Sequence, residues 1–183
     1  MPKTGGVWVE KTLMACVKGA KVLNIPDPHQ GINCPGKEKF TFAFVRHPLG
    51  WYRSYWAYKM TKGWDRKNYF DEDCRSNHFD EFINAMLKHH PGRFSHVCKG
   101  FIGTQQDPID FVGRFENLRS DLRKALELAG EELKRDTIDT AKPWNVSGAQ
   151  FKEAAVYTQT QKQIIAIHDR EIFERFDYDM EGY

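Results

Sequence analysis

Two rhythms of hydrophobic and polar positions run along the chain, one with a period near that of a helix and one of short unbroken apolar runs. From Gly6 to Lys18 the apolar residues Val7, Trp8, Leu13, Met14 and Val17 recur at roughly helical spacing, and Gly19 follows as a stop. A helix is therefore expected directly behind the glycine pair. "AKVLNI" and "FTFAFV" are short apolar runs bounded by the turn formers "PDPHQG" and "HPLG", which predicts two buried strands. Pro48 suits the first turn of a helix, where its missing N–H goes unused, and that helix is expected to run to about Met60.

From Tyr58 to Arg75 the residues are polar, charged or aromatic without a steady period, so a long surface excursion is expected. "NHFDEFINAMLKHH" predicts an amphipathic helix ended by "PG", with His89 and His90 at its carboxyl end. "DFVGRF" predicts a further strand and "ENLRSDLRKALELAG" a helix closed by Gly130. The last helix is expected to begin at Thr158, where Thr158 and Gln161 fit a capping box, and to turn Ile164, His168, Ile172 and Phe176 to one face. Strands alternating with helices predict an α/β fold with a largely parallel sheet.

Composition narrows the field. A chain of 183 residues suits one domain, expected to span residues 1–183. Lys and Arg number 27 against 25 Asp and Glu, so there is no global field to hold nucleic acid or an anionic membrane, and any anion site is local. No apolar run approaches the roughly 20 residues that span a bilayer, and the N-terminus lacks a basic-then-apolar leader, so a cytoplasmic protein is expected. Cys16, Cys34, Cys74 and Cys98 form no CxxC pair and are expected as free thiols. Cys74, His78, His96 and Cys98 match no common zinc spacing, and no metal is expected. The aromatic run "GWYRSYWAY" is richer than a core requires: some of its rings are expected inside, others lining a cleft.

The chemistry concentrates in two places. In "PKTGGVW", Lys3 supplies a positive charge and Thr4 a hydroxyl, while Gly5, Gly6 and Val7 offer backbone N–H groups at a helix start, where the dipole favours an anion. The order excludes a Walker loop, in which lysine follows the last glycine. In "FAFVRHPLGWYRSYW" a buried strand delivers Arg46 at its carboxyl end, and the Pro-started helix presents Ser54 about two turns on.

At these residues the chain resembles the sulfotransferases that use 3′-phosphoadenosine 5′-phosphosulfate (PAPS), in their carbohydrate-type branch. Pro2, Lys3, Thr4, Gly5 and Trp8 match the family's PK[ST]GTTW loop, Arg46 and Ser54 its arginine and serine eight residues apart, and "VGRFENL" a third landmark. "PWNVSG" and the final "YTQTQKQIIAIHDREIFERFDYDM" match more loosely. The resemblance implies a P-loop-like three-layer domain, its central, mainly parallel sheet flanked by helices, moving a sulfuryl group from PAPS to a hydroxyl or amine of a small-molecule or carbohydrate acceptor, without a metal.

It also implies roles. Lys3 neutralises the leaving phosphate, Thr4 and the amides of Gly5, Gly6 and Val7 bind the 5′ end, and Arg46 and Ser54 bind the 3′-phosphate. Trp8 stacks on adenine or, alternatively, anchors the core. The acceptor's base is His29, with Glu10 in reserve or engaged in a surface pair with a lysine. Residues 58–110 form the acceptor wall, where Lys59, Lys62, Arg66 and Lys67 either meet an acidic or polyhydroxylated ligand or make a solvated face.

Two departures stand out: Val7 replaces a threonine of the family loop, and only Met1 and Pro2 precede Lys3 where the family has a strand. The first strand is thus expected to be truncated, its slot filled from upstream of Met1 or by another segment. The rival readings are a nucleotide-binding module without turnover, a P-loop kinase, which the missing GxxxxGK[ST] disfavours, and a nucleic-acid module, which the near-neutral charge disfavours.

Overall fold

The computed structural model describes residues 2–21, 39–103, 109–131, 135–142, 149–181 and 183. In chain order the elements are α1 (Gly6–Cys16), β1 (Phe42–Val45), α2 (Pro48–Lys62), α3 (Tyr69–Cys74), α4 (Phe79–His89), α5 (Arg93–Ile102), β2 (Phe111–Arg114), a 3-10 turn (Phe115–Asn117), α6 (Leu118–Leu128), α7 (Arg135–Thr140), α8 (Ala149–Ala154), α9 (Gln159–His168) and α10 (Arg170–Arg175). They make a mixed α/β chain in two compact units, residues 1–46 with 98–146 and residues 47–97 with 147–183. No helix among the described residues is long and apolar enough to cross a membrane.

In the first unit β1 and β2 pair in parallel, Phe42 opposite Phe111 and Val45 opposite Arg114, in the segments "FTFAFV" and "DFVGRF" where strands were expected. The pair is fastened at its entry, where the Thr41 N–H and hydroxyl both donate to Asp110 Oδ2, at 2.6 and 2.8 Å. Gly113 faces Phe44 across the ladder, and a Cβ there would lie 2.6 Å from the Phe44 ring, so only glycine fits that register. At the exit the Arg114 N–H donates to Asp121 Oδ2 at 2.6 Å, which turns the chain from β2 toward α6. Of the strand expected at residues 20–25, Ala20 and Lys21 lie in no regular element and the rest is outside the described residues. Pro2–Gly5 form a turn, with no strand ahead of Lys3 among the described residues.

Trp8, Val9, Cys16, Phe44, Leu122, Leu126 and Ile138 make the core of this unit. The first helix exists where expected but is rotated from the expected face: Val7 and Met14 are 40% and 50% exposed. The stripe set by Trp8, Thr12 and Cys16 points inward, and Val7 and Met14, seven residues apart, share the opposite edge. Arg119 fastens α6 to the end of α7, donating to the carbonyls of Ile138 at 2.7 Å and Ala141 at 2.6 Å and to that of Asp139. Those carbonyls are the orphan acceptors of a helix terminus, and a guanidinium suits them.

In the second unit α2 buries Trp51, Tyr52 and Trp56, with Trp51 packed 5.1 Å from the Phe94 ring and Trp56 5.4 Å from that of Phe79. These rings of the aromatic run are core, and Tyr58 stays exposed. The stretch expected as a surface excursion contains α3, which buries Phe70, Asp71 and Cys74. Asn68 caps it, its side chain accepting from the N–H groups of Phe70 and Asp71. The Asp71 carboxylate, fully buried, then gathers the Tyr55 hydroxyl at 2.5 Å, the Asp65 N–H at 2.8 Å and the Lys59 ammonium. One buried carboxylate thus draws a polar-looking segment inward, which hydrophobic periodicity does not register.

The final helix begins at the Thr158 capping box, both halves of which form. It breaks at Asp169 into α9 and α10, and its inward residues are Gln161, Ile165, Asp169, Ile172 and Phe173 rather than the expected line through Ile164 and His168. The cause is again a buried acid: Asp169 accepts from the Tyr52 hydroxyl at 2.9 Å and the Ser95 N–H at 2.8 Å, fixing which side of the helix faces in. Burial raises the pKa of the Asp169 carboxyl, and burial together with the Asp169 charge raises that of the Tyr52 phenol.

Candidate functional site

The turn ahead of α1 holds two residues in the left-handed region, Lys3 at φ +62° and Gly5 at φ +83°. Gly5 is the N-cap of α1, and its carbonyl accepts the first helical bond from the Val9 N–H at 3.0 Å. The N–H groups of Gly6, Val7 and Trp8 therefore precede the helical ladder and sit at the positive end of the dipole, with no acidic residue in the first turn to offset it. Gly5 is also sterically required: a Cβ would lie 2.8 Å from Leu118 Cδ2 and 3.3 Å from Phe115 Cδ2. The turn is pressed against the segment that follows β2, and Thr4 is buried beside Gly5.

Arg46 leaves the carboxyl end of β1 and reaches the same turn. Its Nη1 donates to the Lys3 carbonyl at 3.2 Å, and its guanidinium lies 4.1 Å from the centroid of the Phe115 ring. Two motifs 43 residues apart in sequence thus meet at one helix start. Trp8 is 5% exposed, inside the core, with the Arg119 guanidinium 5.6 Å from its ring. A ring so enclosed anchors α1 and presents little face to a ligand.

Ser54 belongs to the second unit, buried on α2. The start of that helix is firmly held. His47 Nδ1 accepts from the Leu49 N–H at 3.1 Å, so the imidazole proton sits on Nε2, which donates to the Asp179 carbonyl at 2.5 Å. The Tyr157 hydroxyl donates to the Leu49 carbonyl at 2.7 Å, and Arg53 Nε to that of Ala155 at 3.0 Å. His29 lies outside the described residues, as does the Asn145–Ser147 segment. Glu10 is exposed on α1 and makes no ion pair among the described residues, so the surface pair expected for it is not formed. Of the four cations on the expected acceptor wall, Lys59 is committed to Asp71, whereas Lys62, Arg66 and Lys67 are exposed.

Sequence reasoning missed Phe115 and Leu118 as parts of this site. The run "VGRFENL" marked their neighbourhood, but only the parallel pairing of β1 with β2 brings the end of β2 beside Arg46. No grouping of His, Cys, Asp and Glu suited to a metal ion occurs among the described residues.

The description "sulfotransferase family" is the one matched when the chain is compared with known protein families, over residues 10–183. No curated protein and no solved structure matches.

Proposed function

The chain belongs to the sulfotransferase family, and from that premise we propose that it transfers a sulfuryl group from PAPS to a hydroxyl or amine of a small-molecule or carbohydrate acceptor. The observation that carries the donor assignment is the meeting of the Lys3 turn, the start of α1 and Arg46 at one place. That place is rich in backbone N–H groups and positive charge, and Gly5 lets the backbone come close, so its chemistry fits a bisphosphorylated nucleotide. The bound donor supplies a sulfuryl group attached to a phosphate that leaves. Sulfuryl transfer, like phosphoryl transfer, asks a protein mainly to position groups and to stabilise spreading negative charge.

In this reading Lys3 offsets the charge on the leaving phosphate, Thr4 and the N–H groups of Gly5, Gly6 and Val7 hold the 5′ end, and Arg46 with Ser54 holds the 3′-phosphate. Trp8 keeps α1 aimed. His29 takes the acceptor proton, and Glu10, on the exposed side of α1 with Val7, is the reserve base. The proposed fold is one P-loop-like three-layer domain over residues 1–183, with a central, mainly parallel sheet flanked by helices.

The test is transfer of label from sulfur-35 PAPS across a panel of polyhydroxylated and amine acceptors, with Lys3→Ala and His29→Ala beside the wild type. Turnover that falls by about a hundredfold in each variant supports these roles, since a positioned acid, base or charge contributes on that order. The exposed Val7, which lacks the family loop's hydroxyl, favours the second reading, a nucleotide-binding module without turnover. Donor binding with no transfer to any acceptor would establish that reading instead.

A further inference from the structure

The donor assignment treats Arg46 as a contact for the 3′-phosphate and the Lys3 turn as a separate contact for the 5′ end. The geometry joins them. Lys3 is not a glycine, yet it sits at φ +62°, a conformation that L-residues hold only where their surroundings enforce it. Its carbonyl is held by Arg46 Nη1. The Arg46 guanidinium is in turn placed over the Phe115 ring, and that ring and Leu118 both crowd the space a Cβ would occupy at Gly5, at 3.3 and 2.8 Å from it. Phe115 therefore packs against the arginine and beside the glycine of the turn.

We infer that Arg46 and Phe115 are positioning residues that set the shape of the 5′ turn, so that the two phosphate contacts act as one coupled element. The inference rests on the donor reading for its functional consequence, but the bracing itself exists without any ligand. If the bracing holds, a substitution at Phe115, which bears no charge, weakens a ligand's 5′ contacts. Replacing Arg46 likewise weakens a nucleotide that has no 3′-phosphate to lose. Lysine at position 46 keeps the charge but loses the planar face that stacks on Phe115 and the forked donor set.

The test has two arms, on the full chain as wild type, Arg46→Lys and Phe115→Leu. The first, free of ligand, is amide hydrogen exchange at Val9, whose N–H closes on the Gly5 carbonyl, against Ala129, whose N–H closes on the Ala125 carbonyl elsewhere in the same unit. Exchange at Val9 is expected to rise about tenfold more than at Ala129 in both variants, the scale of losing a cation–π contact. Equal changes at the two amides overturn the bracing and mark a general loss of stability. The second arm is calorimetry with adenosine 5′-phosphosulfate, which lacks the 3′-phosphate, and with 3′-phosphoadenosine 5′-phosphate. Loss of affinity for both ligands in Phe115→Leu supports the coupling. Wild-type affinity for both in Phe115→Leu overturns the coupling and leaves the donor assignment standing. Failure of the wild type to bind either ligand sinks the donor assignment and the coupling with it, whereas the exchange arm still reports whether the turn is braced.

Discussion

Gly5→Ala probes how tightly the turn ahead of α1 is built. Two costs are separable. The backbone at φ +83° lies in the left-handed region, where any residue with a Cβ loses about 1 kcal/mol relative to glycine. The new methyl would also sit 2.8 Å from Leu118 Cδ2 and 3.3 Å from the Phe115 ring. Leu118 Cδ2 is the far end of a flexible side chain and yields in part, so the overpacking term falls near the low end of its usual range, about 1 kcal/mol. The total expected loss is about 2 kcal/mol. Gly19→Ala is the internal standard, because Gly19 has φ +80° and nothing within 4 Å of its absent Cβ. It carries the backbone cost alone, about 1 kcal/mol. Urea unfolding monitored by tryptophan fluorescence measures both variants, and a double-mutant cycle with Leu118→Ala isolates the steric part. The reasoning fails if Gly5→Ala is no more destabilising than Gly19→Ala, or if the cycle shows no coupling between positions 5 and 118.

Other expectations follow from the buried polar groups and the strand clamp. Asp71→Ala leaves the Lys59 ammonium without its buried partner and should cost about 3–5 kcal/mol by chemical denaturation, far above a surface pair; a loss below about 1 kcal/mol would contradict the assignment. The two donations from Thr41 hold the Asp110 carboxyl below its ordinary pKa, so its contribution is present above the unfolded value near 3.8 and is lost as pH falls through the folded one. Asp110→Asn should therefore flatten the acid limb of the stability curve, and an unchanged limb would refute the clamp. Cys16, Cys74 and Cys98 are buried, and burial pushes the Cys74 thiol up to about 12, so all three should resist maleimide in the native protein and react in urea. Rapid native labelling at any of them, read by peptide mass, would contradict the packing.

Much of the local structure was legible because it is written in local chemistry. Pro48 marked the first residue of α2, the Thr158 capping box formed with both partners, and "FTFAFV" and "DFVGRF" became a parallel pair. What escaped was set by distant partners. The α3 segment is polar by composition and is drawn inward by Asp71, and the last helix breaks and rotates around Asp169, neither of which a period in hydrophobicity reveals. On α1 the sequence offered several apolar residues, and packing chose the stripe through Trp8 over the edge with Val7 and Met14. For the candidate site, the turn ahead of α1 and Arg46 were singled out by their motifs, but the packing of Phe115 beside Arg46 and Gly5 depends on the pairing of strands 69 residues apart.

The central claim is that the turn and Arg46 bind a nucleotide bearing both 5′ and 3′ phosphates. Calorimetric titration of 3′-phosphoadenosine 5′-phosphate against the wild type and Arg46→Ala, with ADP as the control ligand, tests it most directly. The account predicts tight binding that prefers the 3′-phosphate over ADP and collapses in the variant. Binding that ignores the 3′-phosphate, or that survives loss of Arg46 unchanged, would contradict it.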